Sequence, residues 1–122
     1  MTDAKPREHR LSVPRSARCF SRGGDAAAEA WVVLHGYGQL ASRFLRGFES
    51  IATPTRLVVA PEGLSRFYLD AGAGKVGASW MTKEDRAHEI EDYLSYLEQV
   101  RAAIIPPVAL TILGFSQGVA TA

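Results

Sequence analysis

A single cysteine in 122 residues, Cys19, excludes an internal disulfide and any cysteine-built metal site; such sparing usage fits a reducing compartment, so the expected location is cytoplasmic. Long apolar runs are absent too. No stretch approaches the roughly 18 residues needed to cross a bilayer, and the N-terminus is too polar for a signal peptide. Charge of one sign is also scarce. Fourteen Lys and Arg against 13 Asp and Glu leave a net charge of +1, which argues against broad electrostatic binding of nucleic acid. The first 24 residues carry six of those bases against two acids, an excess that reads as a solvated edge. There is no internal repeat and no low-complexity tract. What is present is apolar content of 47%, enough at this length for one real core.

Residues 1–8 are polar and expected to be loose, with a single domain running over 9–122. His9 to Arg22 contains short alternating stretches around Pro14 that predict an edge hairpin, and Gly23-Gly24-Asp25 signals a turn. Ala30 to Leu34 is the first strongly apolar strand. It empties into His35-Gly36-Tyr37-Gly38-Gln39, whose glycines let backbone approach a ligand closely. Ser42 to Ala52 predicts a helix, because Phe44, Leu45, Phe48, Ile51 and Ala52 form one apolar stripe. Pro54 breaks it, and Arg56 to Ala60 is a second buried strand stopped by Pro61. A glycine-rich excursion from Gly63 to Trp80 follows. The longest helix is expected to open at Thr82, whose hydroxyl can cap, with acids in its first turn and Ala87, Ile90, Leu94, Leu97 and Val100 on its buried side. It ends before Pro106-Pro107. Strands alternating with helices predict an α/β architecture: a mostly parallel sheet with helices on both faces.

The segment with most chemical content is Ala109 to Gly118. Ala109 to Leu113 has neither charge nor alternation, as expected of a strand buried on both faces, and it runs into Gly114-Phe115-Ser116-Gln117-Gly118. G-x-S-x-G after a buried strand and before small helix-starting residues is a nucleophile elbow: the serine sits at a sharp, strained turn with its hydroxyl exposed. Ser116 is therefore the candidate catalytic nucleophile. Gly114 and Gly118 are small because a Cβ beside the turn would clash.

LHGYG at Leu34 to Gly38, APEG at Ala60 to Gly63, SW at Ser79-Trp80 and GFSQG at Gly114 to Gly118, in that order, resemble the phospholipase/carboxylesterase family of the α/β-hydrolase superfamily. That family includes acyl-protein thioesterases, and the similarity spans about residues 30–122. The resemblance implies an α/β-hydrolase fold that cleaves carboxylic esters or thioesters through an acyl-serine intermediate, needing no metal and no cofactor. Its partner is a small-molecule ester or thioester. It further implies an oxyanion hole of two backbone N–H groups, one on Gln117 and one on Tyr37, held between Gly36 and Gly38. Trp80, by the same resemblance, either lines an acyl pocket or pins the excursion to the sheet. The HGYGQ loop departs from the HGLGD pattern common in acyl-protein thioesterases, which makes depalmitoylation a less secure expectation than general short-to-medium-chain ester hydrolysis.

The family's triad runs Ser, Asp, His in chain order, and nothing acidic and no histidine follows Ser116. The triad is thus incomplete within these residues, and the sequence is expected to be the N-terminal portion of a longer enzyme, truncated after the elbow. His35 precedes the elbow and is read as support for its loop; His9 and His88 are read as solvated, and Asp70 and Asp85 as turn and cap residues. A rival reading comes from spacing. Gly36-x-Gly38-x-x-Ala41 fits a dinucleotide-binding fingerprint, with Glu62 as candidate ribose ligand, although it leaves GFSQG unexplained. A third reading is an inactive scaffold that keeps the hydrolase fold.

Overall fold

The first fully apolar strand becomes the centre of a sheet because its residues have no polar face to offer water. In chain order the elements are β1 (Cys19–Arg22), β2 (Glu29–Leu34), α1 (Ala41–Arg46), β3 (Arg56–Pro61), β4 (Ser65–Tyr68), β5 (Val76–Ser79), α2 (Arg86–Ile104), β6 (Ala109–Gly114) and α3 (Gln117–Thr121). They come from a computed structural model that describes residues 5–70, 72 and 74–121. Residues 1–4, half of the expected loose N-terminus, lie outside that range.

Four strands form one sheet in the order β1-β3-β2-β6, and β4 and β5 form a separate two-stranded pair. β2 pairs in parallel with both β3 and β6, while β1 closes the far side antiparallel to β3. Successive strand residues face opposite ways, so one sheet yields two cores. Val33, Val58 and Ala60 pack with Leu45 and Phe44 of α1 on one face. Val32 and Leu34 pack with Trp80 and Tyr93 on the other, alongside Ala30, Leu57 and Val59 with Val100 of α2. The expected parallel sheet covered on both faces is the observed one.

Several local expectations change. The predicted hairpin in residues 9–22 reduces to β1 alone; the exposed segment before it carries no strand and is held by side chains instead. Arg10 forms a bidentate pair with Asp85 at 2.9 Å and Arg18 reaches Glu62 at 2.5 Å, so arginines rather than a backbone ladder fix this stretch. The helix expected over 42–52 stops at Arg46 and continues as i→i+3 turns through Ile51. Its apolar stripe still reaches the core, since Phe44, Phe48, Ile51 and Ala52 all pack there.

The excursion after Gly63 is structured: β4 and β5 make an antiparallel hairpin with Ser65 opposite Ser79. α2 begins at Arg86, not Thr82. The hydroxyl and amide of Thr82 both donate to the Glu89 carboxylate, and Asp85 spends its carboxylate on Arg10 and His88 without capping. The buried side of α2 is centred on Tyr93 and Val100; Leu94 is 51% exposed and Ala87 is exposed as well. β6 departs most from expectation. Leu110, Ile112 and Leu113 are 40–50% exposed, because β6 is an edge strand among the described residues and only β2 pairs with it.

Candidate active site

Because β2 and β6 are parallel neighbours with Leu34 opposite Gly114, their carboxyl ends emerge side by side. The two loops singled out in the sequence therefore leave the sheet at one place, the edge where open parallel sheets hold ligands. The Phe115 N–H donates to the Leu34 carbonyl at 3.1 Å, extending the ladder one step, and the Gly118 N–H donates back to the Phe115 carbonyl at 2.9 Å. Between them Ser116 has φ of +56°, the one non-glycine residue in the left-handed region among those described. Holding a serine there costs about 1–3 kcal/mol, and such strain persists only where the surroundings over-determine it.

The surroundings do so through two close approaches. A Cβ on Gly118 would overlap the Leu34 carbonyl oxygen, so only glycine lets α3 start against the end of β2. A Cβ on Gly36 would stand 3.0 Å from the Ser116 Cβ and 3.1 Å from the Phe115 carbonyl oxygen. The loop after β2 thus abuts the elbow. Gly114 is the last residue of β6, and Gly38 turns at φ of +80°.

The amides of this loop are mostly spoken for. Gly36 N–H donates to the Gln39 Oε1 at 2.6 Å, and Gly38 N–H to the Ala78 carbonyl at 2.9 Å. The Tyr37 N–H between them has no acceptor among the described residues, and neither has the Gln117 N–H at the start of α3. The Tyr37 ring is 58% exposed and lies 5.1 Å from Phe67. The Ser116 hydroxyl has no hydrogen-bond partner among the described residues, so no base is in place against it. Two hollows, of about 830 and 440 Å³, flank α2 on its two sides, and neither is lined by Ser116.

His35 is fully buried with both ring nitrogens engaged. Nε2 accepts the Gly63 N–H at 2.9 Å, which makes Nδ1 the protonated nitrogen, donating to the Gly36 carbonyl at 2.8 Å. Burial holds its pKa below the ordinary 6.5, favouring the neutral ring. It shapes the loop and is not free to take a proton. His9 is exposed, and exposed His88 pairs with Asp85 at 3.0 Å. Asp70 accepts the Gly72 N–H, a turn role.

Glu62 is 2% exposed, and its carboxylate accepts from Arg18, from Arg66 at 3.4 Å and from the Ala41 N–H at 3.3 Å. Both groups that the dinucleotide spacing needs, the acid and the amide at the start of α1, are thus turned on each other. Trp80, 3% exposed, donates its indole N–H to the His35 carbonyl at 2.9 Å, stacks on His35 at 5.0 Å and packs on Tyr93. These contacts tie the end of the excursion to the sheet, and Trp80 also lines the hollow of about 830 Å³ beside α2.

The sequence did not expose the side-chain role of Gln117. Its Oε1 accepts the Trp80 N–H at 2.8 Å and its Nε2 donates to the Met81 carbonyl at 2.8 Å, with Ser79 Oγ within reach of both. No local signal could have found it, because Gln117 and Trp80 stand 37 positions apart in the chain. Among the described residues no cluster of three metal-ligating side chains occurs, and no helix is long and apolar enough to cross a membrane.

No protein-family model matches the chain, and no curated protein matches it by sequence. Solved structures do. The acyl-protein thioesterase 2 of Zea mays is similar at a TM-score of 0.64 and 21% identity, over 88% of this chain and 49% of that one. Esterase PE8 is similar at 0.54 and 23%, over 84% and 53%. A phospholipase/carboxylesterase of Dyadobacter fermentans is similar at 0.50 and 19%, over 90% and 53%. The fold is that of an α/β-hydrolase, and the chain spans about half the length of the structures it matches.

Proposed function

We propose that this chain is the N-terminal portion of a cytoplasmic serine hydrolase that cleaves small carboxylic esters or thioesters through an acyl-serine intermediate. The observation that carries the reading is Ser116 at φ of +56°, with Gly36 packed against it and the Tyr37 and Gln117 amides left without acceptors. In this scheme the Ser116 oxygen bonds to the acyl carbon while its proton passes to a base. The carbonyl oxygen, becoming an oxyanion, is held by the two amides; removing one such donor typically costs about 3–4 kcal/mol of transition-state stabilisation. The proton then goes to the departing alcohol or thiol, and water releases the acid. Base and orienting acid belong to chain beyond residue 122, a proposal supported by the half-length overlap with the esterase and thioesterase structures.

Treating the product of the native gene with a fluorophosphonate probe tests this. Covalent modification at Ser116, abolished in Ser116→Ala, supports the hydrolase. A folded, unmodified protein makes the chain an inactive scaffold.

A further inference from the structure

Four consecutive residues at the end of the excursion touch both halves of the candidate site. Ala78 bonds the loop after β2 twice, its carbonyl accepting the Gly38 N–H at 2.9 Å and its N–H donating to the Gln39 carbonyl at 3.0 Å. Gly77 makes that approach feasible, since a Cβ there would overlap the Gly38 backbone. Ser79, Trp80 and Met81 bond the elbow instead, all through the Gln117 carboxamide. Trp80 adds a bond to the His35 carbonyl at the root of the loop.

A planar carboxamide that accepts on one side and donates on the other has one orientation. Residue 117 carries both this side chain and one of the two acceptor-free amides, and Ala78 is bonded to Gly38 and Gln39, the two residues that follow the other, Tyr37. We propose that the Gln117 carboxamide is a positioning residue that registers the elbow against the loop after β2 through Ala78 to Met81, so that the Tyr37 and Gln117 amides are held as one rigid pair. This rests on the hydrolase reading for its purpose, but its geometry stands apart from it. It gives the Ser79-Trp80 segment a function: it is the template to which both amide-bearing turns are fitted.

Hydrogen exchange read by mass spectrometry on the native gene product tests it. In Gln117→Met, which keeps length and loses both bonds, exchange rises together in residues 36–39 and 78–81 by about tenfold, the scale of a lost hydrogen bond, with β3 unchanged as the folding control. Gln117→Glu gives a second, reversible reading. Its carboxylate can accept from Trp80 but repels the Met81 carbonyl; protonated, it can donate again. Relative to wild type at the same pH, which cancels His35 titration, Gln117→Glu is loosened at neutral pH and regains protection towards about pH 4–5. Loss confined to 78–81 with 36–39 protected as in wild type, or no recovery of Gln117→Glu on acidification, overturns the proposal. Fluorophosphonate modification of wild-type Ser116 decides the enzymatic reading separately. Coupled exchange without modification keeps the brace and removes the hydrolase, and modification without coupling does the reverse.

Discussion

Gly36 and Ser116 meet across the top of the sheet so closely that a methyl group on the glycine would stand 3.0 Å from the serine Cβ. The same methyl would crowd Gln39 Oε1 at 3.0 Å and the Phe115 carbonyl at 3.1 Å, and backbone cannot swing aside as a flexible side chain can. Gly36→Ala is therefore expected to cost about 1–3 kcal/mol of stability by overpacking and to lower the rate of Ser116 modification at least about tenfold. Urea unfolding and timed fluorophosphonate labelling read the two effects. Wild-type labelling in Gly36→Ala would show that loop and elbow do not cooperate.

Gly118→Ala is expected to be worse. Its Cβ would fall on the Leu34 carbonyl oxygen, within the rigid end of β2, so α3 cannot seat without moving the sheet. The expected loss is about 3 kcal/mol or more, visible as a large drop in urea midpoint. A loss under about 1 kcal/mol would contradict the packing described.

Glu62 joins three separate parts of the chain: the segment before β1, the start of α1 and the hairpin. Glu62→Gln keeps the shape but removes the charge, and charge-assisted bonds to a buried acceptor suggest a cost of about 2 kcal/mol. Arg18 and Arg66 are about half exposed and regain water, which limits the loss. Arg18→Ala should cost more than Arg66→Ala, since Arg18 approaches to 2.5 Å and Arg66 only to 3.4 Å. Chemical unfolding of the three variants gives the order, and equal effects for the two arginines would refute the ranking.

His35 predicts a pH dependence. Its folded pKa lies below the ordinary 6.5, so the unfolded chain binds the proton first and stability, full above 6.5, is lost as pH falls below it. The slope approaches about 1.4 kcal/mol per pH unit until the folded pKa is reached. Glu29 and Asp85 are lowered by their arginine partners and act only below their ordinary 4.5 and 3.8, leaving pH 5.5 to 7.5 to histidine. Urea unfolding across that window should show the fall. A flat profile would mean that His35 titrates freely.

Legibility followed the range of the interactions. The apolar runs at 30–34 and 56–60 declared themselves as buried strands, and the Phe44 to Ala52 stripe found the core even where its helix tightened into turns. Capping was harder to read. Thr82 and Asp85 had cap-forming side chains, but Glu89 and Arg10 took them, and such partners seven and 75 residues away leave no local trace. The same holds for Gln117 and Trp80, 37 positions apart.

By itself the sequence determined the alternation of strands and helices, the glycines that make the elbow feasible and the residue type at its apex. These depend on local sterics and on apolar patterning, which neighbouring residues encode. Only the tertiary structure decided that Glu62 is an internal counterion, that His35 is locked as a neutral support, that β6 lies exposed at an edge and that Gln117 grips the excursion. Each depends on which distant group arrives within hydrogen-bonding or van der Waals range, and that is set by strand order rather than by sequence proximity.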